Sequence, residues 1–265
     1  MRIPFTKAHG ALNDFLLTRV EDAPPENLPV LAQALCDRHA GVGADGWLLV
    51  GKPDGPDHHG SIVLYNSDGS LAEISGNGTR CAAAFLLHEG LDGTDVRIRT
   101  GAGVKSLRLL ERSGPAFVFE MNMGRPEIRD LSFALPLRGG SRDATILRVG
   151  NPQCCLPVED FEFDWRALGA EIERHPQFPG RTNVSFVRAV DEHTIDVRFW
   201  ERGAGETMSS GTGSTGAAAA AVARGMVSSP VRVLTPAGPL DLRFDHGEVF
   251  LTGPAVIIAE GTCLF

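Results

Sequence analysis

The chain has 265 residues, 43% of them hydrophobic, which is enough for one large domain or two ordinary ones with a sizeable core. Its formal net charge is −8 and it contains no run of Lys or Arg, which argues against nucleic acid as a partner. The N-terminus lacks the apolar segment of a signal peptide, and no stretch approaches the ~18 apolar residues of a membrane-spanning helix. We therefore expect a cytoplasmic protein with no membrane partner.

The first part of the chain predicts short strands, one amphipathic helix and glycine-rich turns. Leu28, Leu31 and Leu35 recur at helical spacing, whereas the other segments carry the apolar and β-branched residues of strands. The predicted helix spans 28–37, and the predicted strands are 2–5, 15–17, 47–50, 61–65, 96–99, 104–110 and 117–121.

Between the fourth and fifth of these strands lies a loop that could bind an anion. Ser75, Gly76, Asn77 and Gly78 precede an Ala-rich apolar helix that begins near Cys81. A helix start offers unpaired N–H groups and the positive end of its dipole, and glycines let an anion approach the backbone closely.

The same arrangement occurs again in the second part of the chain. A predicted strand over 194–200 leads into a loop at Ser209 to Gly213 and then into a second Ala-rich helix. Ser210-Gly211-Thr212-Gly213 aligns on Ser75-Gly76-Asn77-Gly78 with an offset of 135 residues, about half of the chain. The other predicted elements here are a helix over 163–174 and strands at 147–149, 153–155, 182–187, 231–234, 240–244 and 249–251.

This repeat predicts two similar halves, because a helix that is apolar on every side should be buried all round. Each half would be a sheet wrapped around one central helix, with both helix starts facing one cleft. We expect the halves to be residues 1–113 and 114–253, with the crossing at Arg112 to Pro115, and residues 254–265 to pack on the first half.

Several familiar sites are excluded. Residues 211–216 fit the dinucleotide pattern G-x-G-x-x-G, but Leu234-Thr235-Pro236 stands where the acidic residue about 20 positions later should be. No phosphate-binding P-loop and no serine-hydrolase elbow is present. The five cysteines have no metal-ligand spacing, and Cys81 and Cys155 lie in apolar runs typical of buried, inert thiols. We expect no metal and no cofactor.

A set of polar residues stands at predicted loop positions. Four of them are asparagines, each of which could simply form a turn. The other two, Glu201 and Arg202, could be a surface ion pair that contributes little to stability. Together with two anion-binding loops they indicate a site for a small, amino-acid-like zwitterion. The residues are Asn13, Asn66, Asn151, Asn183, Glu201 and Arg202.

The blocks HGALNDF, GVGADG, NSDGSLAEISGNGTRC, VGNPQ, NVSFV and ERGAGETMSSGTG resemble the diaminopimelate epimerase family in order and spacing, from residue 9 to 216. The resemblance implies two similar α/β (α+β) domains, each a mostly antiparallel sheet around a central helix. It implies cofactor-independent proton transfer at an amino-acid α-carbon, interconverting LL- and meso-diaminopimelate. By the same resemblance, the six polar residues above would bind substrate, and the amides of Gly76, Asn77, Gly211 and Thr212 would hold the carboxylate at the reacting centre.

The sequence departs from the family at the residues that transfer the proton. The family has a cysteine in each anion loop, where this chain has Ser75 and Ser210, and Gln153 replaces a histidine beside the reaction centre. Four explanations stay open. The serines were introduced to trap substrate or prevent oxidation; another isomerisation or dehydration uses Glu73 or Glu206 as the base; the chain binds an amino acid without turnover; or the serines epimerise slowly. A homodimer is compatible with all four.

Overall fold

The computed structural model describes residues 2–72 and 74–264 and divides them into two compact units. Unit 1 contains the described residues up to Met121 and those from Gly253 onward, and unit 2 is Asn122–Thr252. Two strands pass along the chain from one unit to the other, and both units consist mostly of strands with two helices of nine and thirteen residues each.

Unit 1 is a mainly antiparallel sheet with α2 as its central helix. β1 pairs with β2 and with the end of β17, β3 pairs with β4, and β6, β7 and β8 form successive hairpins. Only β2–β3 and β4–β6 are parallel pairs in the described part of this unit. Its elements are β1 Arg2–Gly10, β2 Asn13–Arg19, a 3-10 turn Val20–Asp22, α1 Leu28–Cys36, β3 Gly46–Gly51, β4 Gly60–Asn66, β5 Leu71–Ala72, α2 Gly76–His88, β6 Asp95–Thr100, β7 Gly103–Ser113, β8 Ala116–Gly124 and the end of β17 Glu248–Leu264.

Unit 2 repeats this order of elements and pairings around α4. β10 pairs with β11 and β9, β12 pairs with β13, and β15, β16 and β17 form successive hairpins. The parallel pairs β11–β12 and β13–β15 stand where unit 1 has β2–β3 and β4–β6. Its elements are β9 Glu127–Leu135, β10 Arg142–Val149, β11 Asn151–Pro157, α3 Trp165–Glu173, β12 Asn183–Asp191, β13 Thr194–Glu201, β14 Gly205–Thr207, α4 Gly211–Ala223, β15 Val231–Thr235, β16 Gly238–Asp245 and the start of β17.

The two central helices are buried on every side. In α2 each residue from Gly76 to Leu87 is buried, and in α4 each residue from Gly211 to Ala221 is buried. Their alanines suit this position because small side chains let the surrounding strands approach closely, while larger ones would overpack the site at a cost of ~1–3 kcal/mol. The predicted fold class, two similar α/β units each with a sheet around one apolar helix, is confirmed.

The observed elements differ from the sequence-based expectation in several details. The units divide after Met121 rather than after residue 113, because the RSGP segment forms the turn between β7 and β8 instead of a crossing. The strand predicted at 249–251 is longer than expected: β17 is continuous from Glu248 to Leu264, and its residues 256–264 pair with β1. Strand β9, which is exposed along most of its length, was not predicted.

Candidate functional site: two serine-capped helix starts

Helix α2 begins with a serine cap in unit 1. Ser75 has extended backbone angles (φ −130°, ψ 120°), and its Oγ accepts a hydrogen bond from the N–H of Gly78 at 3.0 Å. The N–H groups of the first helical turn have no acceptor within the helix. The cap satisfies one of them, and those of Gly76 and Asn77 stay available to an anion at the positive end of the dipole.

Helix α4 begins with the same cap in unit 2. Ser210 has nearly the same backbone angles (φ −139°, ψ 122°), and its Oγ accepts from the N–H of Gly213, also at 3.0 Å. The N–H groups of Gly211 and Thr212 correspond to those of Gly76 and Asn77. Thus each unit holds a serine hydroxyl over a helix start that can bind an anion.

The structure brings Asn13 against the start of α2. Asn13 begins β2, and its Oδ1 accepts from Nδ2 of Asn77 at 3.3 Å. Asn66 ends β4 opposite Gly46, the first residue of β3, and donates from Nδ2 to Oγ of Ser70 at 3.0 Å. Because β2 and β3 are parallel and β4 is antiparallel to β3, Asn13 and Asn66 lie at the same end of these three strands.

Asn151 occupies the corresponding place in unit 2. It begins β11, and its Nδ2 donates to Oγ1 of Thr212, the second residue of α4, at 3.3 Å. Its Oδ1 accepts from Nε2 of Gln153 at 2.7 Å. Gln153 is fully buried, and its Oε1 has no hydrogen-bond partner among the described residues. The position at which the family resemblance implies a histidine is therefore filled by an amide that is hydrogen-bonded to Asn151.

The remaining predicted residues of unit 2 lie around the turn after β13. Oδ1 of Asn183, the first residue of β12, accepts from the backbone N–H of Arg202 at 3.0 Å, and its Nδ2 donates to the carbonyl of Pro152 at 3.0 Å. Glu201 ends β13 and accepts from Oγ1 of Thr207 at 2.7 Å. Asn183 is only 5% exposed, so the turn that carries Glu201 and Arg202 is held by a buried side chain.

A buried carboxylate holds the same turn. Glu173, at the end of α3, is 3% exposed and forms an ion pair with Arg181. It also accepts from the N–H of Gly203 at 2.8 Å and from Nε1 of Trp200 at 3.3 Å. The turn that carries Glu201 and Arg202 is therefore anchored on both sides, by Glu173 and by Asn183.

Neither serine has a neighbouring base among the described residues. Each Oγ is hydrogen-bonded to a backbone N–H and to no side chain. A serine hydroxyl is a much weaker acid than a thiol of pKa ~8.5 and normally needs a base to act. Glu206 receives two hydrogen bonds from Arg166, at 2.6 and 2.7 Å, so it is committed to an ion pair. The other carboxylate considered, Glu73, lies outside the described residues.

The cysteines do not replace the missing pair. Cys81 and Cys155 are buried, and desolvation raises the pKa of each thiol to about 12. Burial likewise raises the pKa of Cys36 to about 12 and that of Cys154 well above its usual value. These thiols stay protonated near pH 7 and cannot serve as thiolate bases.

Sequence reasoning missed two residues that hold Asn13 and Asn77. Nδ2 of Asn13 donates to Oδ2 of Asp45 at 2.7 Å, and Oδ1 of Asn77 accepts from the guanidinium of Arg80 at 2.5 Å. Both partners lie in motif blocks, GVGADG and SGNGTRC. Nothing in the sequence indicated that an arginine would be fully buried in the helix or that Asp45 would reach across to β2.

Within 2–72 and 74–264, no three His, Cys, Asp or Glu side chains are placed so that they could hold a metal ion. The helices in these ranges are also too short or too polar to cross a membrane.

Comparison with known proteins gives one consistent result. A model of the family described as diaminopimelate epimerase matches residues 5–128 and 145–258. A diaminopimelate epimerase of Halothermothrix orenii is 35% identical over 98% of each chain, and one of Pelotomaculum thermopropionicum is 39% identical over 97% of each. The crystal structure of a probable proline racemase from Agrobacterium radiobacter K84 has a TM-score of 0.77 at 16% identity, covering 98% of this chain and 92% of the other, which shows a shared fold. The chain therefore belongs to the diaminopimelate epimerase family.

Proposed function

We propose that the protein is a cofactor-independent isomerase that epimerises diaminopimelate at an α-carbon, with Ser75 and Ser210 in the positions of the acid/base pair. The observation that carries this proposal is the matched pair of serine-capped helix starts, which have the same cap geometry. Epimerisation needs one proton-transferring group for each face of the same carbon, so a duplicated device suits it.

The helix starts would bind the carboxylate next to the reacting carbon. The N–H groups of Gly76, Asn77, Gly211 and Thr212 are preorganised donors, and the dipoles of α2 and α4 add positive potential. When the α-proton leaves, negative charge spreads from the carbon onto this carboxylate. Fixed donors therefore stabilise the transition state more than the ground state.

The far end of the substrate would be held by the other polar residues. Arg202 suits a carboxylate and Glu201 an ammonium group, while Asn66, Asn151 and Asn183 supply amide donors and acceptors. A second amino-acid group at that end distinguishes diaminopimelate from a simple amino acid. Binding energy from this group would orient the α-carbon for proton transfer.

The proton balance is simple. One serine first loses its hydroxyl proton to solvent; as the alkoxide it takes the α-proton and becomes neutral, leaving a carbanion that is stabilised by the bound carboxylate. The other serine gives its hydroxyl proton to the opposite face and becomes the alkoxide. Because a hydroxyl is a weak acid, we expect slow turnover and an increase of about 100-fold or more when thiols replace the hydroxyls.

The test is proton NMR in D₂O with LL- and meso-diaminopimelate, following loss of the α-proton signal. The wild-type protein should exchange this proton slowly, and the Ser75→Cys/Ser210→Cys protein should do so much faster. No exchange by wild type, together with exchange by the double variant, would mean a substrate-binding protein that lacks only its acid/base pair. No exchange by either protein would overturn the proposal.

A further inference from the structure

A directional chain of hydrogen bonds runs through unit 1 from a buried cation to a half-exposed anion. The guanidinium of Arg80 donates to Oδ1 of Asn77 at 2.5 Å, and Nδ2 of Asn77 donates to Oδ1 of Asn13 at 3.3 Å. Nδ2 of Asn13 then donates to Oδ2 of Asp45 at 2.7 Å. Arg38 binds the other oxygen of Asp45 at 2.8 Å and holds this carboxylate in place.

The two ends of the chain determine its direction. A guanidinium can only donate hydrogen bonds, and an ionised carboxylate can only accept them. An amide between them has one donating and one accepting end, so Asn77 must turn its oxygen to Arg80 and Asn13 must turn its nitrogen to Asp45. Reversing either amide would place two donors or two acceptors face to face.

Burial makes the donating end unusual. Arg80 is fully buried, and the acceptors of its guanidinium among the described residues are all neutral oxygens: Oδ1 of Asn77, the carbonyl of Pro254 at 3.1 Å and the carbonyl of Gly76 at 3.4 Å. Burial lowers the pKa of Arg80 to about 10, so the group is still cationic near pH 7. A buried cation without a carboxylate partner is costly, and packing alone does not explain it.

The corresponding residue of α4 in unit 2 shows which contact the helix needs at the position of Arg80. Thr215 is the counterpart of Arg80, and its Oγ1 donates to the carbonyl of Gly211 at 2.8 Å, as Arg80 does to Gly76. A short hydroxyl thus suffices for the contact within the helix. The chain from Gln153 through Asn151 to Thr212 ends in an amide and a hydroxyl, and each of these groups can both donate and accept. Its direction is therefore not fixed.

We propose that Arg80 is a positioning residue which, with Asp45, fixes the amides of Asn77 and Asn13 so that Asn13 offers its remaining N–H to the ligand. This inference deepens the proposed function, on which its ligand part rests. Asn13 would contact an acceptor, a carboxylate oxygen of the substrate, and would disfavour an ammonium group at that place. In unit 2, Asn151 and Thr212 can reverse and can meet either kind of group.

The first test is a spectroscopic one on the free protein. In ¹⁵N-labelled protein, the side-chain amide signals of Asn13 and Asn77 are assigned by their loss in Asn13→Ser and Asn77→Ser. Arg80→Met should raise the solvent exchange of both amides by up to about tenfold, because the loss of one anchoring hydrogen bond is transmitted to the next. Arg80→Lys keeps a donor-only group and should restore protection. Thr215→Val is the matched control in unit 2 and should leave both signals unchanged.

A variant at Asp45, the exposed end of the chain of hydrogen bonds, provides a second test in case Arg80→Met misfolds. Asp45→Asn supplies a group that can donate as well as accept, and it should loosen Asn13 more than Asn77. Binding of LL-diaminopimelate, followed by titration of the same spectra, should weaken about tenfold in Arg80→Met and Asp45→Asn and be largely recovered in Arg80→Lys. A shift of the Asn13 signal on binding is expected in wild type.

The outcomes are separable. If Arg80→Met and Asp45→Asn fold and the Asn13 amide keeps its protection in both, Arg80 does not position Asn13 and the inference is wrong. If Arg80→Met alone fails to fold, Asp45→Asn decides the question in the same way. If the amide changes occur as expected but wild type binds no diaminopimelate, the proposed substrate is wrong while the positioning role stands.

Discussion

Gly213 faces Ser210 so closely that a Cβ at residue 213 would lie 2.9 Å from both Cβ and Oγ of the serine. The matching contact in unit 1 is looser, since a Cβ at Gly78 would lie 3.3 Å from Cβ of Ser75. The glycine of the second helix start is therefore required by the space around it. This difference between two otherwise equivalent caps has a measurable consequence.

Gly213→Ala should damage the site more than Gly78→Ala. In Gly213→Ala the methyl group also meets Cδ1 of Phe199 at 2.9 Å, so Ser210 must move. Overpacking costs ~1–3 kcal/mol, which exceeds the ~1 kcal/mol that alanine gains over glycine in a helix. For Gly213→Ala we expect a lower urea midpoint of unfolding and a clear loss of α-proton exchange. For Gly78→Ala we expect both quantities to stay close to those of the wild type. Equal effects of the two substitutions would contradict this account of the caps.

Ser75→Cys should create a thiol of unusually low pKa. The new sulfur would replace an oxygen that accepts the N–H of Gly78 at the start of α2, where negative charge is favoured. In a Cys263→Ala background, the rate of alkylation by iodoacetamide should rise with pH with a midpoint below ~8.5. Ser113→Cys, at the exposed end of β7, is the control, and its alkylation rate should follow the pH dependence of an ordinary thiol. If both thiols titrate alike, the helix start is not stabilising the anion.

Asp143 should stabilise unit 2 only when it is ionised. Arg224, the C-cap of α4, donates to it at 2.6 and 2.9 Å, and this pairing lowers the pKa of Asp143 below its usual value. A carboxylate with a lowered folded-state pKa adds stability above its unfolded pKa of ~3.9 and loses it as the pH falls through the folded value. Asp143→Ala should therefore destabilise the protein at pH 7.

The difference in urea midpoint between wild type and Asp143→Ala should shrink steadily below pH ~4. Asp241→Ala is the matched control, because Asp241 pairs with Arg232 where both side chains are more than half exposed, and such a pair contributes little. A destabilisation by Asp143→Ala that is constant down to pH ~3 would mean that the effect comes from packing rather than from the charge of Asp143.

The sequence was most informative where a single pattern determined the structure. The two Ala-rich segments after glycine-rich loops predicted both buried central helices, because an all-apolar helix follows directly from residue type. The serine caps were not predicted, since the helices begin at Gly76 and Gly211, inside the segments that were expected to be loops. The offset between Ser75 and Ser210 likewise predicted the repeat of elements. These features depend on local chemistry, which the sequence carries explicitly.

Contacts between distant segments were not accessible in this way. The partnership of Asp45 with Asn13 depends on the parallel pairing of β2 and β3, and the burial of Arg80 depends on the carbonyl of Pro254, far along the chain. Strand β9 is exposed along most of its length, and only its last residue, Leu135, is buried. Glu206 illustrates the converse, since it looked available in the sequence but is occupied by Arg166 in the fold.

Gln153→His should supply the base that Ser210 lacks. Gln153 is fully buried beside α4, where Gly216 leaves room for its side chain: a Cβ at residue 216 would lie 3.2 Å from Cγ of Gln153. A neutral histidine can take a proton from a neighbouring hydroxyl or thiol, which an amide cannot. Burial should keep the pKa of this histidine at or below ~6.5, so the rate of α-proton exchange should rise with pH and level off near neutrality.

The gain in exchange rate from Gln153→His should be larger in the Ser75→Cys/Ser210→Cys background, because a thiol is more readily deprotonated than a hydroxyl. Gln153→Asn, which has no titrating group, should give no such pH profile, and a flat profile for Gln153→His would show that residue 153 does not act on the proton-transferring group.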